Sequence, residues 1–317
     1  MRCFLYLFLF LIISFDSFSQ RKCYEDSIDR QGYIYSPCNS RSKFVHYEQK
    51  LMMEPGTGII LNQSSLSPFT GYCQRCFFTG KLEFKMKVTR GKKDGPYRLN
   101  YKSGCPQKKG FEIMGIRHGK YFEYYDSTQN IKLSQNFSNG KLDGKQLSFS
   151  PNGDTLALEN YMLDVLHGIQ KRYFSNKKLN LQVGYKSGRM HGKYLKYDSK
   201  GTLLDDITYN NGKRHKKAYR YFDNGNLMIE ETWNNGKKSG EFKYFYSTGK
   251  MRLFEIYAND KEDGEFEEKY KNGFTKRHAV YKKGKLICET NYDEYGQKIE
   301  KEEEKKEKEQ NNKKEKE

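Results

Sequence analysis

Proline is scarce in this chain, at 6 of 317 residues, and tryptophan occurs once. Apolar residues make up only 35%, too few for a deep aliphatic core of ordinary size. Beyond Phe15 no run approaches the roughly 20 apolar residues that a membrane helix needs. Catalytic signatures are missing too. There is no Gly-x-Ser-x-Gly nucleophile elbow. Gly91-Lys92, Gly140-Lys141, Gly212-Lys213 and Gly236-Lys237 lack the spacing and the following Ser or Thr of a phosphate loop, and read as turn residues. A single Cys-x-x-Cys, Cys73-Gln74-Arg75-Cys76, has no second pair to complete a four-ligand zinc site. No enzyme activity, cofactor, metal site or catalytic residue is therefore expected.

What is abundant is glycine (28), tyrosine (26) and phenylalanine (21). That mixture suits hairpins whose rings lie on sheet faces. Arg2 followed by the apolar run Phe4 to Phe15, with Ser17-Phe18-Ser19 beyond it, reads as a secretory signal that leaves a mature chain starting at Gln20. An uncleaved anchor is the competing reading. Export leads to a periplasmic, outer-membrane-surface or extracellular location and permits disulfides. The candidate disulfide cysteines are Cys23, Cys38, Cys73, Cys76 and Cys105. Zinc and redox roles remain the alternatives for the Cys73–Cys76 pair.

The formal charge is +18. The tail Glu300–Glu317 holds 7 Lys against 8 Glu, so the excess sits on the body of the chain. A basic body favours an anionic partner, here a lipid head group or an acidic glycan of the envelope, or a protein partner. Tyr219-Arg220-Tyr221 and Lys243-Tyr244-Phe245 interleave rings with cations as single-strand binders do. Cross-strand ring ladders explain the same pattern, so nucleic acid is not the expected partner.

The strongest signal is a period of 24 residues. Glycines stand in register at Gly71, Gly95, Gly119, Gly144, Gly168, Gly192, Gly240 and Gly264, with Lys216 at the skipped point. A second series follows at Gly80, Gly104, Gly153, Gly201, Gly225, Gly249 and Gly273. A fixed period of this size marks a repeat array. Within one unit, Phe242, Tyr244 and Tyr246 alternate along a strand, a turn holds Gly249, and a second strand from Met251 ends in Tyr257. The corresponding strand ends are Phe137, Tyr161, Tyr185, Tyr209, Trp233 and Tyr281. Asn-Gly at 139–140, 152–153, 211–212, 224–225, 235–236 and 272–273 predicts tight hairpin turns between these strands. Gly95, Gly119, Gly144, Gly168, Gly192, Gly240 and Gly264 are taken as repeat-turn glycines. Tyr194, Tyr221, Trp233, Phe242 and Tyr244 are taken as binding-face aromatics. His118, His167, His191 and His215 precede the register point and fall about 10 Å apart, too far to share one metal ion. A turn-structural role is expected for them, with a pH-sensitive edge as the functional alternative.

The units Tyr209-Asn210-Asn211-Gly212-Lys213 and Tyr185-Lys186-Ser187-Gly188-Arg189-Met190-His191-Gly192-Lys193-Tyr194 resemble the MORN repeat. Tyr194 after Lys193, and Tyr121 after Lys120, replace the usual second glycine, which is closer to the bacterial variant also found in proteins named YwqK-family antitoxins. The resemblance covers about two thirds of the chain. It implies a series of β-hairpins in an elongated sheet with a binding or scaffolding role.

The expected fold is all-β: an elongated antiparallel β-hairpin repeat array in a single twisted sheet. Residues 1–19 form the signal, 20–68 a non-repeat cap, 69–296 an array of about nine units, and 297–317 a disordered Lys/Glu-rich tail. The expected function is that of an exported, non-enzymatic binding or scaffolding module at the cell envelope. The alternative is an antitoxin or immunity protein that binds a toxin polypeptide.

Overall fold

The structure is a computed structural model and describes residues 45–46 and 50–300. The segment expected to be a signal, Cys23, Cys38 and the residues beyond 300 lie outside the described residues. The chain is all-β and divides into two compact units, Met1–Gly115 with Glu123–Ile131, and Ile116–Phe122 with Lys132–Glu317.

In the first unit, Gly71–Cys76, Leu82–Thr89, Lys92–Asn100 and Pro106–Ile113 follow one another as an antiparallel meander. Val45–His46 adds a parallel pairing to Gly71–Cys76, and Leu51–Met53 pairs with Ile60–Asn62 as a separate hairpin. Leu51, Ile60 and Phe69 pack on Cys73, Phe84 and Val88 to form the apolar core. The hairpin is tied to the meander by backbone bonds from Ile60 N–H to Gly91 O (2.9 Å) and from Gly91 N–H to Phe69 O (2.7 Å).

Cys73 corrects an expectation. It is a free thiol with no exposed surface, held inside this core. Burial pushes its thiol up to about 12, against the pull of Lys93, so it behaves as a small apolar side chain. Cys76 and Cys105 are each disulfide-bonded, with Leu82–Thr89 and Lys92–Asn100 between them in the meander. The free Cys288 is exposed.

In the second unit, antiparallel strands follow in chain order from Ile131–Ser138 to Lys298–Ile299. Two kinds of turn alternate. The first has two residues, both left-handed: Asn139-Gly140 (φ 48° and 80°), Asn211-Gly212 (48° and 83°) and Asn235-Gly236 (48° and 89°). These are the angles that let a two-residue hairpin match the strand twist. Leu163-Asp164 and Asn259-Asp260 reach similar angles without glycine. Their carboxylates also bond to the preceding hairpin. Asp164 accepts the Leu142 N–H at 2.6 Å, and Asp260 accepts the Lys238 N–H at 2.8 Å.

The second kind of turn is longer, and only its last residue is left-handed. Gly249 N–H donates to Tyr246 O (2.9 Å) and Tyr246 N–H to Lys250 O (2.8 Å), a type I turn closed by a glycine bulge. Asn152-Gly153, Asn224-Gly225 and Asn272-Gly273 end turns of this kind, so they are not the two-residue turns that the dipeptide alone suggests.

The register glycines are also placed differently from expectation. Gly144, Gly168, Gly192, Gly240 and Gly264 lie in bulges a few residues past each two-residue turn, after a short strand at Gly144, Gly168 and Gly240 and inside the longer strands Arg189–Tyr197 and Lys261–Lys269 at Gly192 and Gly264. At Gly264 the register runs from Tyr257↔Glu262 to Glu255↔Phe266, so residues 263–265 oppose Ile256 alone. A bulge of this kind, with two extra residues on one strand, bends that strand and interrupts the ladder. The glycines there have φ between 83° and 144°, and Lys216, the exception, has φ 67°.

Neighbouring hairpins are sewn together along both edges. At the two-residue turns, Gly140, Gly188, Gly212, Gly236 and Gly284 each donate to a carbonyl of the preceding hairpin, at 2.7–2.9 Å. At the longer turns, Tyr246 Oη donates to Lys269 O (2.7 Å), Tyr270 Oη to Tyr292 O (3.0 Å) and Asn224 Nδ2 to Ser247 O (2.9 Å). Each bond spans about one period, so each hairpin depends on its neighbours, as in other repeat arrays.

Candidate binding surface

Strand alternation divides the second unit into two faces. One carries its buried stripe: Tyr121, Phe137, Val183, Ile207, Ala218, Phe242 and Ala279, with the polar Gln146, Gln170 and Glu231. The stripe runs across paired strands, as in Gln170↔Val183, Ala218↔Glu231 and Phe242↔Glu255. Rings and cations cover it. Phe242 meets Trp233 edge-on at 5.7 Å and Tyr257 at 5.0 Å. Lys238 Nζ lies 4.3 Å from the Tyr257 ring centre, Arg214 5.1 Å from Trp233, and Arg117 4.9 Å from Tyr121. These cation–π lids close the stripe without a second sheet. The buried glutamines are satisfied by backbone beside the bulges: Gln170 Oε1 accepts from Asn160 N–H and its Nε2 donates to Asn160 O, both at 2.9 Å.

The expected binding-face aromatics therefore do not form one accessible patch. Phe242 has no exposed surface and is core, because Trp233 and Tyr257 enclose it. Tyr194, Trp233 and Tyr244 are half-buried on this same face. Burial, then Glu255 and Glu231, pushes the Tyr244 phenol up to about 12. Tyr221 stands on the opposite face, where its charged neighbours are Asp206 and Glu230.

Carboxylates enter the stripe beside the strand-end rings. Glu231 is held by Arg214 (3.0 Å) and by Trp233 Nε1–H (3.0 Å). Glu255 receives the Tyr257 hydroxyl at 3.3 Å, and burial raises its carboxyl above the ordinary range despite Lys238 and that hydrogen bond. A carboxyl raised in the fold stabilises fully below its unfolded value and loses that contribution as pH rises through the folded one. Glu255→Gln, which can still accept from Tyr257, is thus expected to raise the thermal midpoint at neutral pH. The gain should disappear near about pH 4, where the wild-type group is protonated. Paired melts at the two pH values check this, and an equal shift at both would contradict it.

The opposite face balances its own charges: Lys193 pairs with Asp206 (2.6 Å), Lys217 with Glu230 (2.6 Å) and Lys243 with Glu241 (2.7 Å). Lysines at the longer turns are also engaged. Lys178 Nζ donates to Lys200 O, and Lys250 Nζ to Lys271 O at 3.4 Å.

The edge of two-residue turns differs. The residue directly after each turn is an exposed cation at Lys141, Arg189, Lys213, Lys237, Lys261 and Lys285, with Val165 at the remaining point. None of the six makes an ion pair among the described residues. From Arg189 to Lys285 consecutive members are two strands apart, about 10 Å. The stems of Lys213 and Lys261 lie on the following turn: a Cβ on Gly236 would touch Lys213 Cβ at 3.3 Å, and one on Gly284 would touch Lys261 Cβ at 3.7 Å. The sequence signal was visible as Gly-Lys pairs, but nothing local separates these lysines from those held in ion pairs.

The histidines lie along the same edge. Nδ1 of His167 and of His191 is buried without a hydrogen-bond partner, and His215 Nδ1 accepts from Asn235 N–H at 3.4 Å. Among the described residues no group of three or more His, Cys, Asp or Glu is placed to hold a metal ion, and no helix is long and apolar enough to cross a membrane.

Comparison with known proteins bears on these same hairpins. The family model described as the MORN repeat variant matches residues 166–187, 190–211 and 214–235. Each match runs from the residues just after one two-residue turn, through the bulge and the longer turn, to the start of the next two-residue turn. No curated protein matches the chain. Solved structures titled TcdB2-TccC3-Cdc42 and TcdB2-TccC3-TEV match at 11% and 12% identity, each with a TM-score of 0.18. The matches cover 74% and 77% of this chain but only 15% and 17% of those chains. This chain carries three MORN repeats of the variant type in tandem over residues 166–235, and such repeats suggest a repeat-based binding or scaffolding module.

Proposed function

We propose that this protein is an exported, non-enzymatic binding module that holds an anionic component of the cell envelope, a lipid head group or an acidic glycan, along its edge of two-residue turns. One observation carries the reading: six exposed cations that make no ion pair among the described residues share one repeat position, while Lys193, Lys217 and Lys243 are neutralised on the sheet face. A row of like charges at about 10 Å spacing suits an extended array of negative groups better than a single small anion. The Arg2 and Phe4–Phe15 pattern supports export.

The test uses vesicles with and without anionic lipid, and a soluble acidic glycan, at low and moderate salt. Near an anionic surface each Lys or Arg contributes about 1 kcal/mol, so replacing Arg189, Lys213, Lys237 and Lys261 together with Ser should weaken binding by at least about 100-fold. Replacing Lys193 and Lys217 should change it little. Binding that ignores salt, or that survives the fourfold change, would remove the basis for this reading.

A further inference from the structure

The longer turns of the second unit are each followed by a polar residue, with one exception. Asp154, Lys178, Thr202, Asn226, Lys250 and Gln297 hold this position, and Phe274 breaks the series. Each accepts the N–H that closes its turn, as Phe274 O does from Tyr270 at 2.9 Å. Phe274 is 52% exposed, yet its ring is seated: a Cβ on Gly296, in the next longer turn, would meet ring Cδ1 at 3.1 Å. The ring borders an open hollow of about 390 Å³, within the range of small-ligand sites. Glu267, Thr275, His278 and Tyr292 line the rest of it. They stand on the face opposite the buried stripe. Glu267 faces His278 across the ladder, Lys269 faces Thr275, and His278 faces Thr290, two residues before Tyr292.

The polar groups of the hollow are only partly engaged. Glu267 accepts from Thr275 Oγ1 at 2.8 Å and pairs with Lys269 at 3.1 Å, so its charge is balanced. A carboxylate can accept further donors after these two. Among the described residues neither the ring nitrogens of His278 nor the Tyr292 hydroxyl make a hydrogen bond. An anionic ligand would meet the Glu267 carboxylate, and a cationic one would find it already paired. A wholly apolar ligand would strip water from His278 and Tyr292 without replacing it. An uncharged sugar satisfies every group. The C–H face of its ring is apolar and can lie on Phe274, and its hydroxyls both donate and accept. The same face carries rings in earlier hairpins at the ladder position of Lys269: Tyr197↔Leu203, Tyr221↔Leu227 and Phe245↔Met251. These rings are two strands apart, about 10 Å. That spacing suits an extended β-linked chain, which presents the same sugar face at every second unit over a similar distance.

We propose that this hollow binds an uncharged β-linked polysaccharide, with one sugar stacked on Phe274 and held by Glu267, His278 and Tyr292, and with the chain continuing along Phe245 and Tyr221. The site is separate from the cations of the two-residue turns. Calorimetric titration of the full chain with cello-oligosaccharides and chito-oligosaccharides tests it, with malto-oligosaccharides and oligogalacturonate as counterparts of different shape and charge. One of the two β-linked series should bind with a Kd of about millimolar or tighter, more tightly as the oligomer lengthens and with little dependence on salt. Phe274→Ala should weaken binding at least about tenfold, and Phe274→Trp should retain it. His278→Ala should weaken it about fivefold. Phe274 is largely exposed, so an unchanged thermal midpoint in Phe274→Ala will separate a lost contact from a lost fold. Replacing Arg189, Lys213, Lys237 and Lys261 with Ser should leave this binding unchanged, which separates it from anion binding at the turn edge. No binding of either β-linked series up to about 10 mM, wild-type affinity in Phe274→Ala, or equal affinity for malto-oligosaccharides or oligogalacturonate would each overturn the proposal.

Discussion

Phe242→Ala should lower the stability of its hairpin by about 3–4 kcal/mol, near the upper end for a truncated aromatic core residue. Phe242 has no exposed surface and heads the fully buried side chains by volume among the described residues. Its loss would remove two edge-on ring contacts, to Trp233 and Tyr257, and would leave Lys238 above a cavity. A rigid ladder cannot close such a space, because its strands are held by the register Gly240↔Tyr257 and Phe242↔Glu255. In a repeat array the damage stays close to the site. Amide exchange should therefore quicken most in Gly240–Phe245 and Met251–Ala258, with distant hairpins little changed. A loss below about 1 kcal/mol would show that the stripe is not the core of this unit.

Gly264→Ala should be the most damaging of the register-glycine substitutions, and Gly192→Ala among the mildest. Both positions are left-handed, at φ 144° and 83°. A side chain at Gly192 would meet nothing within 4 Å, so only the backbone penalty applies, about 1–2 kcal/mol. A Cβ on Gly264 would stand 2.8 Å from Ile256 Cβ and 3.0 Å from its Cδ1. That clash lies inside the bulge and cannot be relieved by rotating a long side chain. The combined effect should exceed about 3 kcal/mol. Ile256→Ala should recover part of it in the double variant. Urea titrations of the variants check the order, and equal losses at the two glycines would mean that packing at the bulge does not matter. Lys216, left-handed at φ 67° in the same repeat position, shows that the backbone penalty alone is tolerated.

Much of the fold was legible because its causes are local. Asn139-Gly140 and Asn235-Gly236 turn the chain with angles that these residues adopt readily. The period aligned the strand-end rings from Phe137 to Tyr281, and each pairs near the start of a neighbouring hairpin, as in Gly168↔Tyr185 and Gly264↔Tyr281. The register glycines were legible as a series but not in their role. A bulge is defined by the strand opposite, and only the pairing shows three residues facing Ile256.

The candidate site was less legible. Phe242 and Tyr221 look alike in sequence, each an aromatic in an alternating run, yet one is enclosed and the other stands on the opposite face. Cys73 and Cys76 are three residues apart in one motif, but one is a core thiol and the other is in a disulfide. Lys213 and Lys217 are four apart in one unit, yet only Lys217 has a carboxylate on the adjacent strand.

By itself, the order of residues determined that this chain forms hairpins, where it reverses, and how often. Those outcomes rest on backbone angles and on a two-residue alternation, which neighbours along the chain control. Tertiary structure alone decided which rings are enclosed, which glycines relieve a bulge, and which lysines keep an uncompensated charge. Each of these depends on the residue across the ladder, about 8 to 15 positions away along the chain, and on the extra residues that shift the register in between.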